Sequence, residues 1–94
     1  MNNIYLITGA SSEIGISLIK EMYNKNDIFI VHFNKNNENL IALKNELGDN
    51  IVLYQADFTN ELSTDLFIQE IKEKYSNITH IIHLPAQNIK YKKL

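Results

Sequence analysis

The sequence predicts an α/β fold of three layers, built on a parallel, doubly wound sheet. Three observations carry that prediction. Short apolar runs alternate with longer amphipathic stretches in the order βαβαβαβ. The runs are continuously apolar, as strands buried on both faces require. The connections are short, so parallel neighbours need the intervening helices as crossovers.

The elements follow in order. Ile4-Tyr5-Leu6-Ile7 is the first strand. A helix is expected from about Ser12 to Asn24, where Leu18, Ile19, Met22 and Tyr23 recur at helical spacing. Ile28-Phe29-Ile30-Val31 is the second strand. Leu40, Leu43 and Leu47 mark the second helix, and Gly48 stands where a C-cap is wanted. Ile51-Val52-Leu53-Tyr54 is the third strand. Leu62, Leu66, Ile71 and Tyr75 are expected to stripe a third helix, with Phe67 and Ile68 widening its apolar face. Ile81-Ile82-His83-Leu84 is the fourth strand, closed by Pro85. Residues 1–87 hold all of these elements, and residues 88–94 form a polar, lysine-rich tail.

Composition removes several function classes. A net charge of -2 argues for neither nucleic acid nor an anionic membrane as partner. With no cysteine, disulfides, thiolate catalysis and cysteine-ligated metal are excluded. No apolar run approaches the roughly 18 residues of a membrane span. The N-terminus runs into an apolar strand without the charged and apolar regions of a secretory signal, so a cytoplasmic protein is expected.

The most informative stretch is Thr8-Gly9-Ala10-Ser11-Ser12-Glu13-Ile14-Gly15, directly after the first strand and opening the first helix. Gly9 permits the tight turn, and Gly15 lets the helix pack closely on the sheet. Ser11 and Ser12 are natural N-cap residues. The free amides beyond them, with the positive end of the helix dipole, form a site for a pyrophosphate.

The segment resembles the Thr-Gly-Ala-Ser-Ser-Gly-Ile-Gly signature of classical short-chain dehydrogenases/reductases, with Glu13 in place of the middle glycine. That carboxylate either repels the phosphates or points to solvent in the first helical turn, and solvent is the expectation. The resemblance implies a Rossmann-type sheet of strand order 3-2-1-4, an NAD(P) cofactor, and cofactor contacts from Gly9, Ser11, Ser12, Ile14 and Gly15. It also places Asp57 and Phe58, in Gln55-Ala56-Asp57-Phe58-Thr59, where the family's aspartate meets the adenine amino group. The alternative for Asp57 is a helix cap or solvated turn. In the fourth strand, Leu84-Pro85-Ala86-Gln87 replaces the family's Asn-Asn-Ala-Gly. Ala86 alone matches, and its backbone would line the nicotinamide ribose.

Cofactor choice is read at the end of the second strand, where a carboxylate suits NAD and a cation suits the 2′-phosphate of NADP. His32-Phe33-Asn34-Lys35-Asn36 offers no acid before Glu38. Lys35 could meet the phosphate and Asn34 the ribose, or Lys35 could be a solvated loop residue. NADP(H) is favoured over NAD(H). His83, among apolar residues, reads as a hydrogen-bonded core histidine, and nothing supports zinc.

In the family, a Ser-Tyr-Lys set on the fifth strand and following helix performs the chemistry. Residues 88–94 hold none of it, since Tyr91 is followed directly by Lys92 and Lys93. The resemblance therefore implies the N-terminal part of a nucleotide-binding domain, with the tail leading into a missing C-terminal part. Such a truncated oxidoreductase is expected to contain no catalytic residue and to be inactive alone. A small-molecule substrate is expected only when the C-terminal part is present. An unpaired fourth strand is expected to self-associate. Two other readings stand beside this one: an extended-type nucleotide-sugar epimerase or dehydratase segment, and a non-catalytic nucleotide-binding module completed by a partner chain.

Overall fold

A computed structural model describes residues 2–9 and 13–84. Its elements are β1 (Ile4–Thr8), α1 (Glu13–Met22), β2 (Ile28–Phe33), α2 (Glu38–Leu47), β3 (Ile51–Gln55), α3 (Glu61–Lys74) and β4 (His80–His83). The four strands form one sheet of order β3-β2-β1-β4. Every pairing is parallel, with Ile4 opposite Ile28, Phe29 opposite Ile51 and Tyr5 opposite His80. The expected strand order is therefore the one observed.

The apolar runs explain the layers. Successive side chains in a strand point to opposite faces, so Phe29, Val31 and Phe33 go one way and Ile30 the other. The first set joins Ile7, Ile19, Leu40, Leu43 and Ile51 under α1 and α2. Ile30 joins Ala56, Phe67 and Ile71 under α3. The first two helices thus cover one face and the third covers the other.

Caps mark the helix ends. Gly48, at φ 128°, follows α2, and its N–H donates to the Lys44 carbonyl at 2.8 Å. Asn60 caps α3 by accepting the Ser63 N–H at 3.0 Å. At the N-terminal edge of the sheet, the Tyr23 hydroxyl donates to the Leu47 carbonyl, and the Asn50 side-chain amide donates to the Asp27 carbonyl.

Three expectations are corrected. Strands β2 and β3 run further, to Phe33 and Gln55, because their ladder continues through His32 opposite Tyr54. On α3, Leu62 and Leu66 are 67% and 56% exposed, whereas Phe67 and Ile71 are buried. The step from Leu66 to Ile71 is five residues and crosses to the other side of a helix. The row that packs is Phe67, Ile71 and Tyr75, set by Phe67 meeting the rings of Tyr54 and Phe58. Finally, His83 is exposed on an edge strand and not buried among apolar side chains.

Candidate dinucleotide site

Of the described candidate residues, Gly9, Asn34, Lys35, Asp57 and Phe58 follow the C-terminal ends of β1, β2 and β3, the edge of the sheet where a doubly wound fold leaves a crevice. Gly9 leaves β1 at φ +70°, and a Cβ there would strike the Leu84 carbonyl. Only glycine meets both demands. On one side, the Leu84 N–H donates to the Thr8 carbonyl at 2.9 Å, and the Thr8 hydroxyl bonds His83 Nδ1. On the other, the Gly9 N–H donates to His32 Nδ1 at 3.1 Å.

His32 is the residue that sequence reasoning passed over. It is 5% exposed, and its Nε2 lies 2.8 Å from the Ala56 carbonyl oxygen. Its ring stacks on Phe58 with centroids 3.9 Å apart and planes 5° from parallel. The Phe67 ring meets it edge-on at 5.5 Å. Burial pushes the imidazole below the ordinary 6.5, with the Ala56 hydrogen bond opposing and His83 adding to the shift. A signal was present: Ile28, Ile30 and His32 share one face of a strand, opposite aromatic residues.

The helix end of the site is partly described. Glu13 is exposed in the first turn of α1, which agrees with the solvent-facing expectation. Ile14 is 74% exposed, and Gly15 is buried. Ser11, Ser12 and Ala86 lie outside the described residues.

Beyond β2, the side chains of Asn34 and Lys35 are exposed, and the Asn34 carbonyl accepts from the Gln55 amide at 2.9 Å. The Asp57 carboxylate accepts both the Thr59 N–H at 2.9 Å and the Thr59 hydroxyl at 2.6 Å. Those two bonds hold its carboxyl below the ordinary range, and the Lys35 charge assists. Asp57 thus serves the turn before α3, where its own N–H donates to the Ser63 hydroxyl. Phe58 is the stacking partner of His32, an arrangement that its place beside Asp57 did not suggest.

Among the described residues, no group of three or more His, Cys, Asp or Glu could hold a metal ion. Among the same residues, no helix is long and apolar enough to cross a membrane.

The geometry has counterparts in known proteins. Residues 3–86 match the family model of the short chain dehydrogenases. Benzil reductase ((S)-benzoin forming) of Saccharomyces cerevisiae is 31% identical over 84 residues, which cover 87% of this chain and 32% of that protein. Serine dehydrogenase from Escherichia coli superposes with a TM-score of 0.67 at 27% identity, over 83% of this chain and 35% of that one. The 3-ketoacyl-(acyl-carrier-protein) reductase from Brucella melitensis, solved in complex with NADH, gives a TM-score of 0.67 at 20% identity over 84% of this chain and 32% of that one. The chain spans about a third of the length of these relatives. The extended-type alternative is not favoured by a match of this kind. Because the match to residues 3–86 takes in every strand and helix described above, the chain belongs to the short-chain dehydrogenase/reductase family.

Proposed function

We propose that this chain is the NAD(P)-binding part of an oxidoreductase, and that it prefers NADP(H). The observation that carries the reading is Gly9, whose positive φ and lack of room for a Cβ form the turn a dinucleotide pyrophosphate needs. The residues around it fit the group. Gly15 is buried behind the turn, Glu13 faces solvent, and Asn34 and Lys35 stand exposed beyond β2 with no acid before Glu38. In this reading Ser11, Ser12 and Ile14 line the pyrophosphate, Asp57 and Phe58 meet the adenine end, and Ala86 lines the nicotinamide ribose. A bound nicotinamide would supply hydride transfer to or from a carbonyl or alcohol substrate. The chain's own residues bind and orient that group.

Residues 1–87 then form the N-terminal part of the nucleotide-binding domain, and residues 88–94 lead into the part that carries substrate and catalysis. Self-association through β4 belongs to the same reading. It is supported by the position of β4 at the sheet edge and by Ile81, which is 71% exposed there.

Calorimetric titration of NADPH and NADH tests the cofactor assignment. NADPH should bind more tightly and lose affinity as salt rises, because the Lys35 contact is screened. Lys35→Glu should abolish the preference. Equal discrimination in wild type and variant would overturn the NADP assignment, and no binding of either nucleotide would overturn the whole reading.

A further inference from the structure

Both ring nitrogens of His32 have backbone partners of opposite character. The Gly9 N–H can only donate, so Nδ1, 3.1 Å away, must present a lone pair. The Ala56 carbonyl can only accept, so Nε2, 2.8 Å away, must carry the proton. Together they define one neutral tautomer. We propose that His32 is a proton-sensitive positioning residue of the dinucleotide site: its neutral ring holds Gly9 in the turn that receives the pyrophosphate, and protonation of Nδ1 releases that turn and weakens nucleotide binding. The inference rests on the reading of this turn as a dinucleotide site.

The turn is held by a histidine from each neighbouring strand, and the two differ chemically. His83 on β4 bonds a hydroxyl, Thr8 Oγ1, which rotates to donate or to accept. That pair survives protonation of either nitrogen. His32 on β2 faces an N–H whose direction the backbone fixes, so a second proton sets donor against donor. Gly9 is free to yield, since glycine has alternative backbone wells.

The surroundings keep the lock closed at neutral pH. Phe58 lies flat on the ring and Phe67 meets its edge, so a charge there is desolvated. The titratable groups around it are His83 from β4, Tyr54 opposite it on β3, and Asp57 next to Ala56. A positive His83 disfavours charge on His32, and the Asp57 carboxylate is taken up by Thr59. β1 and α3 present Gly9 and Phe67, which carry no charge.

Titration of NADP+ and NAD+ into the 94-residue chain between about pH 8 and pH 5, across the histidine range, reads the effect. Wild-type affinity should fall about tenfold on the acid side, as loss of one buried hydrogen bond predicts. His32→Asn, whose amide oxygen replaces Nδ1 as an acceptor that does not titrate but which has no ring to stack on Phe58, should bind less tightly than wild type at neutral pH and lose the acid fall. His32→Leu should bind weakly throughout, and His83→Asn should keep the acid fall. Comparison between variants cancels any titration of the nucleotide. An acid fall that persists in His32→Asn, or that disappears only in His83→Asn, overturns the proposal while leaving the dinucleotide reading intact. Absence of nucleotide binding in wild type overturns that reading, and the proposal with it. Should a variant fail to fold, wild-type NMR decides: the Gly9 amide must shift with the His32 ring titration, and independent behaviour refutes the link.

Discussion

Replacing Gly9 by alanine adds one methyl group at the point where β1 turns towards α1. The cost has two parts. An L-residue in the left-handed region loses roughly 1–2 kcal/mol. The new Cβ would also strike the Leu84 carbonyl, whose residue is tied to β1 through its N–H on Thr8. Moving that backbone is overpacking of the kind that costs about 1–3 kcal/mol. The expected loss is therefore about 2–5 kcal/mol. A chain of 94 residues has on the order of 5–14 kcal/mol in total. Gly48→Ala is the internal control: its φ is 128°, but the nearest atoms, Asn50 Oδ1 and Tyr23 Oη, lie at 3.4 and 3.5 Å. It stores strain of about 1–3 kcal/mol without a clash, far from the site. Urea unfolding followed by circular dichroism, with nucleotide titration on the same samples, compares the two. Gly9→Ala should weaken both stability and binding, whereas Gly48→Ala should weaken stability alone. A Gly9→Ala variant within about 0.5 kcal/mol of wild type, with unchanged binding, would refute the turn geometry.

The corrected face of α3 predicts that Phe67→Ala costs about 3–5 kcal/mol, while Leu66→Ala stays within about 0.5 kcal/mol, as chemical denaturation would show. Asn60→Ala removes the cap on Ser63 and should cost about 0.5–2 kcal/mol in the same assay. Acid unfolding should report His32: its folded pKa lies below 6.5, so its contribution is complete above that value and is lost as pH falls from there through the folded pKa. His32→Asn should flatten the stability profile in that window.

The order of elements was legible because each buried strand is a continuous apolar run and each helix repeats at helical spacing. Gly9 was legible because its turn lies between two such elements. The face of α3 was not, since five apolar residues on both sides of that helix could be joined into a stripe across the step from Leu66 to Ile71. The part Asp57 plays in its own turn was visible: Thr59, two residues on, is the usual distance for a side chain to close its own turn. His32 was legible as a histidine on the Ile28–Ile30 face of a strand, but its hydrogen bonds were not. Its partners Gly9 and Ala56 are 23 and 24 residues away and meet it only once β1, β2 and β3 lie side by side.

The pairing of β1 with β4 also bears on how the molecule assembles. Gly9 and His32 are separated by 23 residues, whereas Thr8 and His83 are separated by 75. Closing the longer loop costs about 1 kcal/mol more in chain entropy. β4 is short and, among the described residues, has one strand neighbour, so less of this cost is returned by pairing. β1 to β3 with α1 and α2 should therefore form the early cooperative unit, and β4 should dock last and open first. In hydrogen exchange, the β4 amides should exchange ahead of those in β2. A ligand that bridges the end of β1 and the end of β4 would slow that opening, so its binding would be recorded in the exchange rate of an edge strand.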